Sequence, residues 1–210
     1  MNELVVVSLA CVILSLLLAC VWVLDSTSRT WLRAEAKRRH WAFEEDSDGL
    51  QLKLTGNADG VPWSARWDAR SLVPRFEMRI EGQDEVDGWL FVARRDGGPA
   101  APNFISSMLT GREQPAWVMA WNQARAISSG EPMLDRSYVL SASTPPAGAN
   151  FFLIPLLQRL ESLPEAVGRR LLVIRGNREM LFWLEEAERS NAVALVEALL
   201  PVARELPVNR

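Results

Sequence analysis

The feature that most constrains this chain is an uninterrupted apolar run from Leu4 to Leu24 that contains no charged side chain. The run is 21 residues long. As a helix it spans about 30 Å, which matches the hydrocarbon thickness of a bilayer. Trp22 lies near its end, where an indole suits the headgroup boundary. The sequence therefore predicts a single transmembrane helix within residues 1–24.

Basic residues flank only the C-terminal side of this run and predict its orientation. No Lys or Arg precedes the run, whereas residues 25–40 carry a net charge of +3 from five basic and two acidic side chains. The positive-inside bias places this flank on the cytoplasmic side of a bacterial inner membrane, with the N-terminus outside. We expect residues 25–45 to form a basic juxtamembrane helix or linker. Its predicted membrane-surface residues are Trp22, Arg29, Trp31, Arg33, Lys37, Arg38 and Arg39.

Two alternatives compete with a membrane-spanning anchor. The sequence LLAC ending at Cys20 resembles a bacterial lipobox, whose cysteine becomes a lipidated N-terminus. Two departures count against it, because no positive charge precedes the run and the residues after Cys20 stay apolar. A cleaved signal peptide would need a basic start, a shorter apolar core and an A-x-A-like site. None of these is present in the first 24 residues.

The composition excludes several kinds of chemistry from the rest of the chain. Cys11 and Cys20 both lie in the apolar run, so residues 25–210 contain no thiol for a disulfide, a zinc site or a nucleophile. Residues 41–210 carry a net charge of −5, from 18 basic and 23 acidic side chains. This balance argues against nucleic acid as a partner.

The sequence offers no catalytic, metal or cofactor site. His40 is the only histidine and lies beside Arg38 and Arg39, so a Ser–His–Asp or Cys–His arrangement cannot form within the domain. The sequence DSDG at residues 46–49 begins like a calcium loop, but Asn57 stands where that loop needs its bidentate Glu. No glycine-rich phosphate loop is present. We therefore expect no enzyme activity, no bound metal and no cofactor.

Alternating apolar and polar residues predict strands in the first half of residues 46–210. Leu50 to Leu54 and Trp63 to Trp67 flank a turn at 56–60 and indicate a hairpin. Phe76 to Ile80 shows the clearest alternation, and Trp89 to Ala93 is a more continuous apolar strand. Together these segments predict an antiparallel meander of about four strands.

The second half mixes helical and strand patterns. Predicted helices are Phe104–Leu109, Ala116–Ile127, Phe151–Leu163 and a segment from Val193 to Leu206 that Ser190 caps and Pro201 kinks or ends. Predicted strands are Tyr138–Ala142, Leu171–Ile174 and Met180–Leu184, of which the last two form a hairpin. The order predicts one α+β domain over residues 46–210, with a mainly antiparallel sheet and several helices.

Tryptophan supplies the candidate contact residues. The chain has nine tryptophans and one tyrosine. Trp63 and Trp67 share one face of a predicted strand, which is typical of a core, and Trp117 and Trp121 share one face of a predicted helix. Because Trp is also enriched in binding hot spots, these four residues are candidates for a partner contact as well as for the core.

These observations favour an interaction protein. We expect a single-pass inner-membrane protein whose cytoplasmic domain serves as a non-catalytic accessory or scaffold subunit of a membrane complex, with lipid and a protein as its partners. One alternative is a lipid- or small-ligand-sensing module, which requires a closed apolar cavity. The other is a carboxylate-dependent hydrolase acting near the membrane, which requires a cleft with two acids of unlike pKa.

Overall fold

The computed structural model describes residues 12–16, 27–70, 73–81, 88–97, 116–144, 150–176 and 178–204. The chain divides into two compact units, Met1–His40 and Trp41–Arg210. In the first unit residues 12–16 and 27–38 are helical, and residues 27–38 are called the basic helix below. The second unit begins at Trp41, earlier than the boundary at 46 that the sequence suggests, because residues 42–45 form a strand.

No helix of the described residues is long and apolar enough to cross a membrane. Of the apolar run 4–24, only residues 12–16 are described, and the predicted transmembrane helix otherwise lies outside the described residues. The predicted helix at 104–109 also lies outside them.

The second unit is built on one large antiparallel sheet. Its strands among the described residues are β1 (Ala42–Glu45), β2 (Gln51–Ala58), β3 (Val61–Asp68), β4 (Arg75–Ile80), β5 (Trp89–Arg94), β6 (Arg125–Ala126), β7 (Tyr138–Ala142), β8 (Leu171–Gly176) and β9 (Glu179–Glu185). The strands lie in the order β1-β2-β3-β4-β9-β8-β5-β7-β6, and each neighbouring pair is antiparallel.

Five helices accompany this sheet in the described part of the second unit. They are α1 (Ala116–Gln123), α2 (Pro132–Ser137), α3 (Asn150–Glu161), α4 (Glu165–Gly168) and α5 (Ala192–Arg204). The predicted α+β class, with a large antiparallel sheet and several helices, is confirmed.

The position of β5 corrects the predicted meander. We expected β5 to follow β4 in space, but β9 and β8 lie between them. The side chains of β8 are buried along its whole length, and those of β9 from Met180 to Leu184 are buried too. Strands that are apolar on both sides take the centre of a sheet, because only there are both faces covered. The consecutive meander therefore comprises β1 to β4.

The β2–β3 hairpin has a tighter turn than the sequence suggests. Ala58 pairs with Val61, so the loop consists of Asp59 and Gly60 alone, both with positive φ (56° and 88°). This is the backbone that two-residue hairpins favour. The Asn57 side chain accepts a hydrogen bond from the Gly60 N–H at 2.7 Å. Gly56, which we expected in the turn, lies within β2 instead.

Two helices begin or end at different residues from those predicted. α1 ends at Gln123 rather than at 127, because Arg125 and Ala126 form β6 and pair with β7. Ser190 is not the cap of α5, since it lies in a 3-10 turn that precedes the helix at Ala192. α5 continues through Pro201 to Arg204. Loss of one N–H near a helix end is tolerated here, because Val202 and Ala203 anchor the last turn in the core.

The strand register separates two faces of the sheet. The core face holds Phe76, Met78 and Phe182, which are buried, and α5 contacts β4 and α3 on this side. On the second face, α1 packs over β5, β8 and β9 through Trp117 and Val118. The remaining part of the second face, on β1 to β4, carries polar side chains. We call it the charged face; it comprises Glu44, Lys53, Ser64, Arg66, Glu77 and Arg79.

We predict that Gly56→Ala destabilises the domain through Trp63. A Cβ at Gly56 would lie 2.5 Å from Cζ2 of the Trp63 indole. The buried indole cannot move outward freely, because Trp41 packs edge-on against it with ring centroids 4.9 Å apart. Crowding of this kind costs about 1–3 kcal/mol of unfolding free energy. Urea denaturation of the full chain in mild detergent measures it.

The control for this prediction is a double-mutant cycle with Trp63→Leu. The smaller side chain leaves room for the added methyl group, so we expect Gly56→Ala to cost much less in that background. An equal cost in both backgrounds would show that the contact with Trp63 is not the reason.

Candidate interaction surface

The four candidate tryptophans pack into the core of the domain. Trp117 is 2% exposed and contacts Trp183 edge-on, with ring centroids 5.6 Å apart. Trp121 is half-buried and contacts Phe91 in the same way at 4.7 Å. The helix face that they share therefore points at the sheet, and in this arrangement only Trp121 retains partial exposure.

Trp63 and Trp67 lie on the core face. Trp63 is buried between Gly56 and Trp41. Trp67 is also buried, and its indole N–H donates a 2.7 Å hydrogen bond to the Ala187 carbonyl. Both have a structural role here, and a role of any of the four tryptophans in partner binding stays a prediction.

The basic helix presents some of its predicted membrane-surface residues to solvent. Trp31 is 49% exposed, and Arg33, Lys37 and Arg38 are exposed as well. Arg29 and Arg39 are half-buried, and Trp22 lies outside the described residues. Glu35 forms ion pairs with Arg38 at 2.5 Å and with Arg39. The hydrogen bond from Arg39 lowers the pKa of Glu35, so this acid partly offsets the positive charge of the helix.

The acidic turn at 46–49 is a structural element. Asp46 accepts a 2.9 Å hydrogen bond from the Gln51 N–H and pairs with Arg70 at 2.5 Å. Asp48 accepts a 3.1 Å hydrogen bond from the Leu50 N–H, which lowers its pKa. Across the described residues, no group of three or more His, Cys, Asp or Glu side chains is placed to hold a metal ion.

The charged face is an open polar surface created by the sheet register. The exposed fractions of the side chains are 65% for Glu44, 50% for Lys53, 43% for Arg66 and 40% for Arg79. They line a shallow cavity of about 650 Å³ on β1 to β4. The long side chains of Lys and Arg stand over it, while the alternate residues Leu54, Ala65 and Met78 point into the core.

Ion pairs hold the charged face in order without neutralising it completely. Lys53 lies 3.5 Å from Glu44 on the neighbouring strand. Arg79 contacts Glu77 at 3.5 Å and Glu179 at 3.4 Å, and Arg66 lies 3.3 Å from Asp68. Exposed pairs such as Lys53–Glu44 and Arg79–Glu77 contribute little to stability, whereas the carboxylate of Asp68 is buried. The exposed cations and acids of these pairs, Lys53, Glu44 and Arg79 among them, therefore remain accessible to a charged partner.

A second cavity lies beside α4 and the start of α5. Its volume is about 500 Å³, and its lining includes Glu165, Arg169, Arg170, Glu185 and Glu186. Arg170 binds Glu186 at 2.8 Å, and Arg169 pairs with Glu165. Glu185 differs from its neighbours, because burial raises the pKa of its carboxyl and the charge of Glu186 adds to the shift.

Neither the charged face nor the special position of Glu185 was predicted from the sequence. The alternation in β2, β3 and β4 indicated that these polar residues share one side of the sheet. It did not indicate which of them stand opposite one another, since that depends on the hairpin register. Nothing in the sequence distinguishes Glu185 from the other acids near it.

We predict that Glu185→Gln raises the melting temperature at pH 8 and leaves it nearly unchanged at pH 4. A raised pKa means that the folded state binds a proton more tightly than the unfolded state. Stability therefore falls as the pH rises from the ordinary glutamate pKa through the raised one. The amide removes this loss. Differential scanning calorimetry of the full chain in detergent measures the melting temperature, with Glu131→Gln as an exposed control. The same shift in melting temperature at both pH values would contradict the account.

Comparisons with known proteins assign no family to this chain. No family model matches it, and no curated protein or solved structure matches it either. Its function must therefore follow from the chemistry of its own surfaces.

Proposed function

We propose that this chain is a single-pass inner-membrane protein whose cytoplasmic α+β domain binds a protein partner, as a non-catalytic accessory or scaffold subunit of a membrane complex. The apolar run 4–24 is long enough to anchor it, and the basic residues that follow favour a cytoplasmic domain. The exposed Trp31, Arg33 and Lys37 of the basic helix suit contact with anionic lipid headgroups.

The observation that carries the proposal is the charged face. Helix α1 covers the second face of the sheet over β5, β8 and β9, but the same face of β1 to β4 stays exposed. This exposed side carries cations and acids close together. Mixed charge of this kind gives specificity and fast association in protein–protein contacts. A membrane anchor adds to this by confining the domain to the surface where its partner lies.

We predict that a bulky residue at Ser64 releases the partner. The full chain would carry a C-terminal green fluorescent protein, which folds only on the cytoplasmic side, and would be purified in mild detergent. Fluorescence and a stoichiometric protein partner are expected for the wild type. Ser64 is half-buried at the centre of the charged face, so Ser64→Trp covers the cavity without changing its charge. The partner should then be lost.

Ala194→Trp is the matched control, because Ala194 lies on the exposed side of α5. Both variants must keep the melting temperature of the wild type. Retention of the partner by Ser64→Trp, or no fluorescence and no partner in the wild type, would count against the proposed function.

A further inference from the structure

One row of side chains crosses the charged face from strand to strand. Glu44 stands opposite Lys53, Lys53 opposite Arg66, and Arg66 opposite Glu77. The order of charges is therefore negative, positive, positive, negative. The outer pairs attract, but the two cations at the centre face each other across β2 and β3.

The central pair does not contribute to the stability of the sheet. Like charges directly opposite on neighbouring strands destabilise the pairing. Lys53 leans toward Glu44 at 3.5 Å, and Arg66 leans along its own strand toward Asp68 at 3.3 Å. The two cations thus lean apart and leave the centre of the row open to an anionic group.

The next row supplies further donors beside that centre. Thr55 stands opposite Ser64, and Ser64 stands opposite Arg79. Two hydroxyl groups and a third cation therefore flank Lys53 and Arg66 on the same side of the sheet. Carboxylates are well matched to such a set, because charged and hydroxyl donors both bind them strongly.

The acids at the ends of the row determine which anion fits. Glu44 and Glu77 lie at the two ends, and residues 41–210 carry a net charge of −5. A uniform polyanion, such as nucleic acid, would meet repulsion at both ends. The complementary occupant has two acidic side chains at its centre and a basic side chain on either side.

The spacing of the row fits a helix. Neighbouring strands lie about 4.8 Å apart, which is close to the rise of about 5.4 Å for one helical turn. A helix that lies across the strands can therefore present one side chain to each strand. We propose that the charged face binds a helix of the partner protein whose side chains, one per turn, run basic, acidic, acidic, basic. This rests on the proposed function and names the chemistry of its partner.

The test uses defined peptides and the full chain in nanodiscs of neutral lipid. Three labelled helical peptides on one alanine-rich host carry the orders basic-acidic-acidic-basic, acidic-basic-basic-acidic and four acids. Fluorescence anisotropy at low salt should show that the first peptide binds at least about tenfold more tightly than the second or the third. The preference should shrink as salt is added.

Charge exchange in the protein makes the test specific. Lys53→Glu/Arg66→Glu should lose the preference for the first peptide. Glu131→Lys/Glu197→Lys, which alters exposed acids elsewhere, should keep it. Equal affinity for all three peptides, tightest binding of the four-acid peptide, displacement by vesicles of anionic lipid, or no binding at all would overturn the proposal. The Ser64→Trp purification can still succeed in each case, so the two failures are distinguishable.

Discussion

The antiparallel pairing of β4 with β9 joins the two halves of the domain into one sheet. Ile80 pairs with Met180 and Phe76 with Leu184, so the core face of the meander continues into the C-terminal hairpin. Two contacts also join β1 and β3 to the segment after β9. The Trp67 indole N–H donates a hydrogen bond to the Ala187 carbonyl, and the half-buried Glu45 and Arg189 form an ion pair. Removing one partner of a poorly solvated pair is costly, because it leaves the other charge buried without a counterion.

The pairing of β4 with β9 also explains why the second face of the sheet is apolar on one side and charged on the other. Trp183 of β9 lies under α1, whereas Glu77 directly opposite it on β4 belongs to the charged face. Arg75 stands at the border, with its guanidinium 5.2 Å from the centre of the Trp183 ring. An apolar surface that a helix covers therefore changes within one strand spacing to a charged surface that stays open. The domain can keep a packed core and still expose a broad sheet surface for binding.

The fold was predictable where residue patterns are long and regular. The alternation in β3 and β4, the apolar runs of β8 and β9 and the helical spacing in α5 all produced the expected elements. β1 was missed because it has four residues, of which Glu44 and Glu45 are acidic, and propensity alone does not favour a strand there. The sheet order was missed because periodicity reports local structure and does not say which strands are neighbours.

The surface was less predictable than the fold, for two physical reasons. A tryptophan on an amphipathic helix is suited to a core and to an interface, and the contact of Trp117 with Trp183 is apparent only in three dimensions. The row from Glu44 to Glu77 depends on the two-residue turn at Asp59 and Gly60, since a shift of one residue between β2 and β3 would place Lys53 and Arg66 on opposite faces of the sheet.

Photo-crosslinking from the centre of the charged face tests the central claim most directly. A photoreactive phenylalanine analogue would replace Ser64 in the full chain in living cells, with Ala194 as the matched position on α5. The account predicts that Ser64 gives one discrete protein crosslink in the membrane fraction and that Ala194 gives none. Crosslinks from Ala194 alone, or from neither position, would show that the charged face is not where this domain meets its partner.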